Sequence, residues 1–514
     1  MSQSGPTINR SILASSDWRQ PRYQRFHDIV DSVVEDILDL TWEDGKKKRR
    51  LRGEQLDKLT YSVHTIIRDC VAVVYQRKRK GEASIKLGQN AYSRGCLNSR
   101  LTYSIHVQRA YRGMKRMGYI EETSKGFHDR QGRKDGRTRS RLTRYVASDK
   151  LLDLFTKDEQ RILPVIVPPK EETVLRIRVK QEENGVIRPV SLPVVETEET
   201  ARMRRDLERI NSVLVNNWYD LELSDEEMIS LQTRLADDDE NPRDIDMSRR
   251  TLYRVFNDPD LSSGGRFYGG WWQNIPKEYR LQLRVNGKNM VEFDYSNQHP
   301  AILYAEAGLE RPADCYADIL RHEHLPDHRL PDGKTWEDVR SMAKAAFNAM
   351  LNAKAPMRNA PEGIRPWDFG LKWKDVSEAV IAFHAPIAHH FYTGAGLRLQ
   401  RLDSDIAEKV MLKFIEIGAP ILPLHDSFLV HDGYQGYLPQ AMEDAAYDVI
   451  GTKLGATLRE VKPKLSADDE IGSIHAESDN DFGPETTDDL VALLTERSNF
   501  ERRLSAFLSM RGPA

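Results

Sequence analysis

The sequence has few cysteines, no long apolar run and almost no net charge. Its three cysteines, Cys70, Cys96 and Cys315, are widely spaced among 514 residues and form no Cys-x-x-Cys pair. That spacing argues against a zinc module and for a reducing compartment. No apolar stretch approaches membrane-spanning length, and the polar N-terminus has no signal-peptide core. We therefore expect a soluble, cytoplasmic protein with no membrane partner.

Charged residues are abundant but balanced, with 30% of residues charged and a formal net charge of −3. No global excess of basic residues points to nucleic acid, so that argument depends on local clusters. The length allows roughly two to four domains. We divide the chain into an N-terminal extension (1–53), a second unit (54–162), a linker with connecting helices (163–250), a main domain (251–465) and an acidic linker with a C-terminal helix (466–514).

The second unit has a pattern of helices followed by two strands and a basic loop. Apolar residues recur at helical spacing over 61–75, and the helical pattern over 98–117 carries Arg109 and Arg112 on its polar side. Strands are predicted near 118–121 and 142–147, and the loop between them contains Arg133, Lys134, Arg137 and Arg139. This order predicts a winged helix-turn-helix, in which a helix enters the major groove and the wing contacts phosphates. The alternative is a solvated Arg-rich hairpin.

Three other segments receive coarser predictions. One helix is predicted over 26–40 in the N-terminal extension. Pro-rich and Glu/Thr-rich stretches over 163–200 predict a linker, and helical segments over 200–218 and 224–239 follow it. A candidate helix over 486–510 has apolar positions that could pack within the chain or bind a protein partner.

Two aspartates in the main domain end apolar, strand-like runs. Asp294 closes the run Met-Val-Glu-Phe-Asp, and Asp426 lies where a polar trio interrupts the apolar run 421–430. The second pattern predicts a tight hairpin with a carboxylate at its tip. Two carboxylates brought together can hold two divalent metal ions, one activating a hydroxyl and the other neutralising a leaving pyrophosphate.

Four segments resemble motifs of the family A polymerases, and they occur in the family's order. Asp294-Tyr295-Ser296 resembles the first carboxylate motif, and Arg340-x3-Lys344 has the spacing of the fingers helix. The segment Gln400-x4-Asp405-Ile406-x2-Lys409 resembles the helix before the last motif. His425-Asp426-Ser427-Phe428 resembles the second carboxylate motif, with a Ser-Phe ending more like the phage RNA polymerases. The resemblance covers roughly residues 266–430.

The resemblance implies an α+β fold with an antiparallel palm sheet, helical fingers and a reduced thumb, preceded by the winged helix-turn-helix. Asp294, Asp426 and the backbone carbonyl of Tyr295 would bind two Mg²⁺ ions, with Mn²⁺ as a substitute. Arg340 and Lys344 would grip the nucleotide triphosphate, and Lys344 would protonate the pyrophosphate. The residues that would contact nucleic acid are Arg266, Gln400 and His425, with the pair Gly264-Gly265 admitting a phosphate.

Some positions depart from the family pattern. His299 stands where the DNA polymerases have a sugar-gating Glu, so it would sense the sugar or, alternatively, cap a helix that starts at Pro300. Phe347 or Asn348 would replace the missing aromatic residue of the fingers helix and, with Tyr295, contact the nucleotide. The aromatic run Phe267, Tyr268, Trp271 and Trp272 is predicted to pack in the core or to stack on bases.

Together these features predict template-directed nucleotidyl transfer. The favoured substrates are a DNA template and primer with dNTPs, in an enzyme without proofreading that serves a phage, plasmid or integrative element in a bacterial or phage-infected cell. A single-subunit RNA polymerase or primase-like enzyme that uses NTPs is one alternative. A catalytically inert DNA-binding regulator or scaffold is the other.

Overall fold

The computed structural model describes residues 19–40, 50–75, 82–87, 104–128, 140–169, 173–183, 186–236, 243, 245–321, 330–458 and 498–511. Helices and mainly antiparallel sheets both contribute, which confirms the α+β class. Within these ranges no helix is long and apolar enough to cross a membrane.

The N-terminal unit has its own apolar core, formed by residues between Tyr23 and Val167. Its elements are α1 (Gln24–Asp39), α2 (Glu54–Tyr75), β1 (Ala83–Ile85), α3 (Ser104–Arg116), β2 (Ile120–Ser124), β3 (Phe127–His128), β4 (Ser140–Arg141), β5 (Thr143–Ala147), α4 (Asp149–Leu152), α5 (Lys157–Arg161) and α6 (Leu163–Ile166).

One face of α1 is buried in this core, so the predicted extension packs with the second unit instead of standing apart from it. Gly113 allows α3 to lie close to α1, because a Cβ at this position would be 2.8 Å from Ile37 Cγ2. The sheet order is β1-β5-β2, with all pairs antiparallel. The strand pair β3 and β4 extends the β2/β5 hairpin toward the basic loop.

A four-stranded sheet follows, with the order β10-β9-β6-β7. Its strands are β6 (Leu175–Glu183), β7 (Val186–Leu192), β9 (Tyr253–Phe256) and β10 (Gly264–Tyr268), and α7 (Glu198–Val215) packs on one face through Met203. Residues 175–183 and 186–192 therefore form paired antiparallel strands, where composition predicted a linker. The alternation Leu175, Ile177, Val179 specified a strand, but the Pro and Glu/Thr content around it obscured that signal.

The central sheet has the order β13-β14-β12-β11-β8, and β15 also pairs with β12. Its strands are β8 (Tyr219–Leu221), β11 (Leu283–Val285), β12 (Lys288–Tyr295), β13 (Leu422–Leu424), β14 (Ser427–His431) and β15 (Ala456–Leu458). The accompanying helices are α8 (Asp225–Ala236), α9 (Gln298–Glu306), α10 (Trp336–Asn352), α11 (Trp373–Phe383), α12 (Gly396–Glu416), α13 (Tyr437–Ile450) and α14 (Asn499–Arg511).

Helix α14 packs against this sheet, in the described part of the predicted C-terminal helix. Phe507 stacks on Trp218 with ring centroids 5.7 Å apart. Arg503 is buried and donates two hydrogen bonds to Asp220, at 2.7 and 2.8 Å. This face of α14 therefore packs within the chain, as one of the two predicted roles required. Binding of a protein partner by the helix stays a prediction. Residues 486–497 lie outside the described ranges.

Candidate active site

Asp294 and Asp426 lie next to each other at one end of the central sheet. Asp294 pairs in register with Ser427, which directly follows Asp426. The backbone N–H of Tyr295 donates to the carbonyl of Asp426 at 3.3 Å. Antiparallel pairing therefore brings Asp294 beside the turn that holds Asp426, although the two aspartates are far apart in the sequence.

A tight hairpin positions Asp426, as the apolar run predicted. Leu424 pairs with Ser427, so His425 and Asp426 form the whole loop between β13 and β14. His425 has φ +67°, a left-handed conformation that two-residue hairpin turns require at their first position. Because a positive φ is uncommon for histidine, the turn holds this residue in a sparsely populated conformation. Asp426 is exposed at the tip.

A buried carboxylate supports the two strands below the aspartates. Glu292 precedes Asp294 by two residues, so both side chains leave the same face of β12. The Glu292 carboxylate accepts hydrogen bonds from Ser427 Oγ and from Arg280, each at 2.9 Å. Since Glu292 is only 4% exposed, the Arg280 guanidinium supplies the counter-charge that its burial requires.

Helix α10 presents two cations toward this end of the sheet. It begins with a capping box between Thr335 and Asp338. Arg340 and Lys344 are one turn apart, and both approach the ring of the buried Tyr316, at 5.7 and 5.9 Å from its centroid. Lys344 is exposed.

Arg340 already has a partner in this structure, because its Nε donates to Asp314 at 2.7 Å. Burial opposes ionisation of Asp314, but Arg340 and two backbone N–H groups act against it, and the pKa of Asp314 is lowered. The ion pair therefore holds the Arg340 side chain over Tyr316.

His299 lies close enough to several of these charged side chains for them to change its pKa. Burial lowers its pKa to about 4; Arg266 and Lys344 also lower it, and Asp426 opposes them. The imidazole is therefore neutral near pH 7. Helix α9 starts at Gln298, and its N-cap is Asn297, in a left-handed conformation. The predicted alternative of a His299 cap is thus wrong, since His299 lies within the first turn.

A buried aspartate that the sequence motifs did not indicate holds the Arg266 side chain in place. Asp403 of α12 is 1% exposed, accepts a hydrogen bond from Arg266 Nε at 3.0 Å and forms an ion pair with the same guanidinium at 2.9 Å. Burial raises the pKa of Asp403 to about 6; the attraction of Arg266 lowers it, and the charge of Asp426 raises it. The available signal was helical spacing, because Asp403 follows Gln400 by three residues and shares its side of α12.

Helix α12 is anchored to the four-stranded sheet by a second buried arginine. Arg254 is fully buried and forms ion pairs with Asp405 at 3.1 Å and Glu408 at 3.2 Å. Ser404 accepts a further hydrogen bond from it at 2.9 Å. Asp405 of the predicted motif therefore has a structural contact, and Lys409 is exposed.

The predicted nucleic-acid residues of the main domain lie together. Gln400 and Arg266 line an open cavity of about 250 Å³ with Tyr268. The Tyr268 ring is 5.5 Å from the ring of His425. Tyr268 is 37% exposed, whereas its neighbours Phe267, Trp271 and Trp272 are buried in the core.

Two predicted nucleotide contacts, by Phe347 and by the Tyr295 side chain, differ from the structure, and the third, by Asn348, stays a prediction. Phe347 is fully buried, 4.9 Å from His384 and 5.3 Å from Phe391 between ring centroids, so it offers no face to a nucleotide. The Tyr295 side chain is buried and its hydroxyl donates to the Met442 carbonyl at 2.6 Å, which leaves only its backbone for the site. Asn348 is half-buried, and its carbonyl accepts from Asn352 at 2.7 Å.

Close packing on the Cβ side explains the pair Gly264-Gly265, and Gly264 also lines the open cavity with Arg266. Their φ values are +78° and +81°. A Cβ on Gly264 would lie 2.1 Å from Asn257 Oδ1, and one on Gly265 would lie 2.8 Å from Ser404 Oγ. The space beside the glycines is therefore occupied by the protein itself.

The N-terminal unit holds the other predicted nucleic-acid residues. Arg112 is exposed on α3, and Arg109 is half-buried, with no hydrogen-bond partner among the described residues for its Nε and one terminal nitrogen. Burial lowers the pKa of Arg109. The loop residues Arg133, Lys134, Arg137 and Arg139 lie outside the described residues.

The donors available for a metal ion are hard oxygens. Among the described residues, no group of three or more His, Cys, Asp and Glu side chains is arranged to hold a metal. Two aspartates and a backbone carbonyl nevertheless suit Mg²⁺, which is usually bound by one or two carboxylates, water and substrate phosphates. The residues present therefore fit Mg²⁺ better than zinc.

Comparisons with known proteins add little to this geometry. No known family model and no curated protein sequence matches the chain. Among solved structures, the POL domain of Pol1 from M. smegmatis, in complex with DNA primer-template and dNTP, is similar over 85% of this chain and 68% of that chain. The TM-score is 0.28 and the identity 13%. A likeness this distant assigns neither fold nor activity.

Proposed function

We propose that the protein is a template-directed nucleotidyltransferase, and specifically a DNA-dependent DNA polymerase without proofreading. In this proposal the central sheet is the palm, α10 is the fingers helix and the N-terminal unit is a winged helix that binds DNA. The observation that supports it best is the pairing of Asp294 with Ser427, which puts two aspartates side by side near Lys344 and His299.

The two aspartates and the Tyr295 carbonyl would hold Mg²⁺. Bound there, the metal would lower the pKa of a primer 3′-hydroxyl and stabilise charge on the phosphates. The chain's own contribution is to fix the oxygen donors, through the rigid hairpin at His425 and the buried Glu292 below it. Such positioning supplies most of the catalysis in phosphoryl transfer.

Arg340 and Lys344 would bind the triphosphate of the incoming nucleotide. Their one-turn spacing matches a ligand with several adjacent negative charges. Lys344 is the better candidate for donating a proton to pyrophosphate, because it is exposed, whereas Arg340 cannot release one. Arg340 would exchange its contact with Asp314 for the phosphates.

His299 would sense the sugar of the nucleotide. A neutral imidazole can both donate and accept a hydrogen bond, and it lies near Asp426 and Lys344. The choice between deoxyribose and ribose is therefore assigned to this residue, and it decides between the DNA polymerase and the RNA-synthesising alternatives.

The order of the strands in the N-terminal unit supports the proposed winged helix. Strand β1 precedes α3, and β2 and β5 then form a hairpin around the basic loop, with β5 between β1 and β2. In this arrangement α3 would enter the major groove, with Arg112 on its exposed side. DNA binding by this unit would bring the catalytic residues to a template.

A primer-extension assay tests the proposal. With Mg²⁺ and a DNA primer–template, we expect product from dNTPs and far less from NTPs. Asp426→Ala should abolish extension and retain duplex binding. Asp432→Ala, at the other end of β14, should extend normally. Product from NTPs alone would favour the RNA-synthesising alternative, and no product from either pool would favour the inert scaffold.

A further inference from the structure

The four-stranded sheet has an exposed basic face that the assigned roles do not use. Along β6, alternate residues leave the same face, so Arg176, Arg178 and Lys180 project together. Arg178 and Lys180 are exposed, and neither forms an ion pair with a carboxylate of the described residues. The opposite face carries Leu175 and Ile177, which pack in the core beneath α7.

This face is continuous with the candidate active site. Arg266 pairs with Val255, which pairs with Arg176, so these three lie in one row across the sheet. In the next row Tyr268 pairs with Tyr253.

The aromatic rings link the two sites directly. The Tyr268 ring is 5.5 Å from His425 on one side and 6.2 Å from Tyr253 on the other. The Arg176 guanidinium lies 3.3 Å from the centroid of Tyr253. A series of aromatic and basic side chains therefore leads from the hairpin tip to the β6/β7 hairpin.

We propose that this face binds the sugar–phosphate backbone of the primer–template beside the catalytic carboxylates, an inference that rests on the proposed function. The strip is defined by Arg266, Gln400, Tyr268, Tyr253, Arg178 and Lys180. Arg178 and Lys180 have no carboxylate partner among the described residues, and such cations next to partly exposed rings are complementary to a nucleic-acid strand. Glu182, two residues beyond Lys180 on the same face, marks the outer end of the positive strip.

The dimensions fit a short stretch of duplex. Arg266 and Lys180 are separated by two strand spacings and by four residues along β6, a diagonal of about 16 Å. A duplex advances 3.4 Å per nucleotide of each strand. The strip therefore matches the rise of about five base pairs along the duplex axis.

The test measures binding of a fluorescent primer–template at several salt concentrations. Each lost phosphate contact removes about 0.9 from the slope of log affinity against log salt. The double variant Arg178→Ala/Lys180→Ala should therefore lose about two units of slope. Between about 50 and 200 mM salt, wild-type affinity should fall about tenfold more than that of the variant.

Two further variants serve as controls. Arg188→Ala changes a basic residue of the same hairpin on the opposite face, where Arg188 pairs with Gln181, and should keep the wild-type slope. The charge-preserving double variant Arg178→Lys/Lys180→Arg should also keep it. A double alanine variant with the wild-type affinity and slope would overturn the assignment of this surface.

The surface and the activity can fail separately. If wild-type protein extends primers and the alanine variant binds like wild type, only the surface assignment is lost. If no extension occurs but the slope still falls by about two units, the surface stands and the proposed function is lost.

Discussion

Arginines near Asp294 and Asp426 differ from Arg109 and Arg112 of α3 in their contacts with carboxylates. Arg254, Arg266 and Arg280 each meet a buried carboxylate within about 3 Å. On α3, Arg112 is exposed, and two nitrogen atoms of Arg109 have no hydrogen-bond partner in the described part of the chain. Buried pairs fix geometry, whereas cations without a carboxylate remain available to an external anion. Replacing Arg254 or Arg280 should therefore cost stability, and replacing Arg112 should cost binding.

The largest effect is expected for replacement of Lys344. Unlike the paired arginines near the two aspartates, Lys344 is an exposed cation. Lys344→Ala should lower kcat of nucleotide incorporation by a factor of about 100 to 10,000, the usual contribution of a general acid. Single-nucleotide incorporation would measure it. Lys374→Ala, on the exposed side of α11, is the matched control. Equal rates for both variants would remove Lys344 from the chemistry.

Arg254 tests the buried side of the comparison. Arg254→Met should lower the free energy of unfolding of the main domain by about 3–5 kcal/mol, because it removes the buried partner of Glu408 and leaves that carboxylate only a 3.6 Å contact with Arg202. Urea unfolding followed by tryptophan fluorescence measures this change. Arg209→Met breaks an exposed pair with Asp206 and should cost less than about 1 kcal/mol. Similar losses would mean that burial does not distinguish these pairs.

The raised pKa of Asp403 predicts how the free energy of unfolding depends on pH. Its folded pKa of about 6 lies above the ordinary 3.8, so the folded protein holds this proton more tightly. The associated stabilisation is complete below pH 3.8 and is lost as the pH rises to about 6. Between these values, wild type should lose at most about 3 kcal/mol relative to Asp403→Asn. Denaturation at both pH values would measure it, and a pH-independent difference would contradict the assignment.

The smallest effect is expected on α3. Arg112→Ala should reduce the slope of log duplex affinity against log salt by about 1, with little change in stability. Anisotropy of a labelled duplex would measure the slope. Arg25→Ala on α1 removes a cation that already pairs with Glu159 and should leave it unchanged. A lower stability of the Arg112 variant with an unchanged slope would place Arg112 with the buried arginines.

Local patterns in the sequence predicted local structure well. Helix α1, the hairpin around Asp426 and the cationic turn of α10 each follow from residues that are neighbours in the chain. The pairing of β12 with β14 depended on two apolar runs, which supplied the strands but not their register.

Contacts between distant residues were not accessible from the sequence. Arg266 and Asp403 are 137 residues apart, and helical spacing places Asp403 beside Gln400 but does not indicate its contact with Arg266. Phe347 was predicted to bind a nucleotide from its position on a helix. That position does not reveal which face of the helix is buried, so the prediction was wrong. The β6/β7 hairpin was missed because its Pro and Glu content outweighed a short alternation.

Binding of Mn²⁺, followed by electron paramagnetic resonance, tests the account most directly, because Mn²⁺ substitutes for Mg²⁺ at oxygen sites and gives a signal of its own. Asp294→Ala and Asp426→Ala should each lose tight Mn²⁺ binding, and Asp432→Ala should retain it. If both site variants bind Mn²⁺ as wild type does, the paired aspartates are not a metal site and the proposed polymerase mechanism is contradicted.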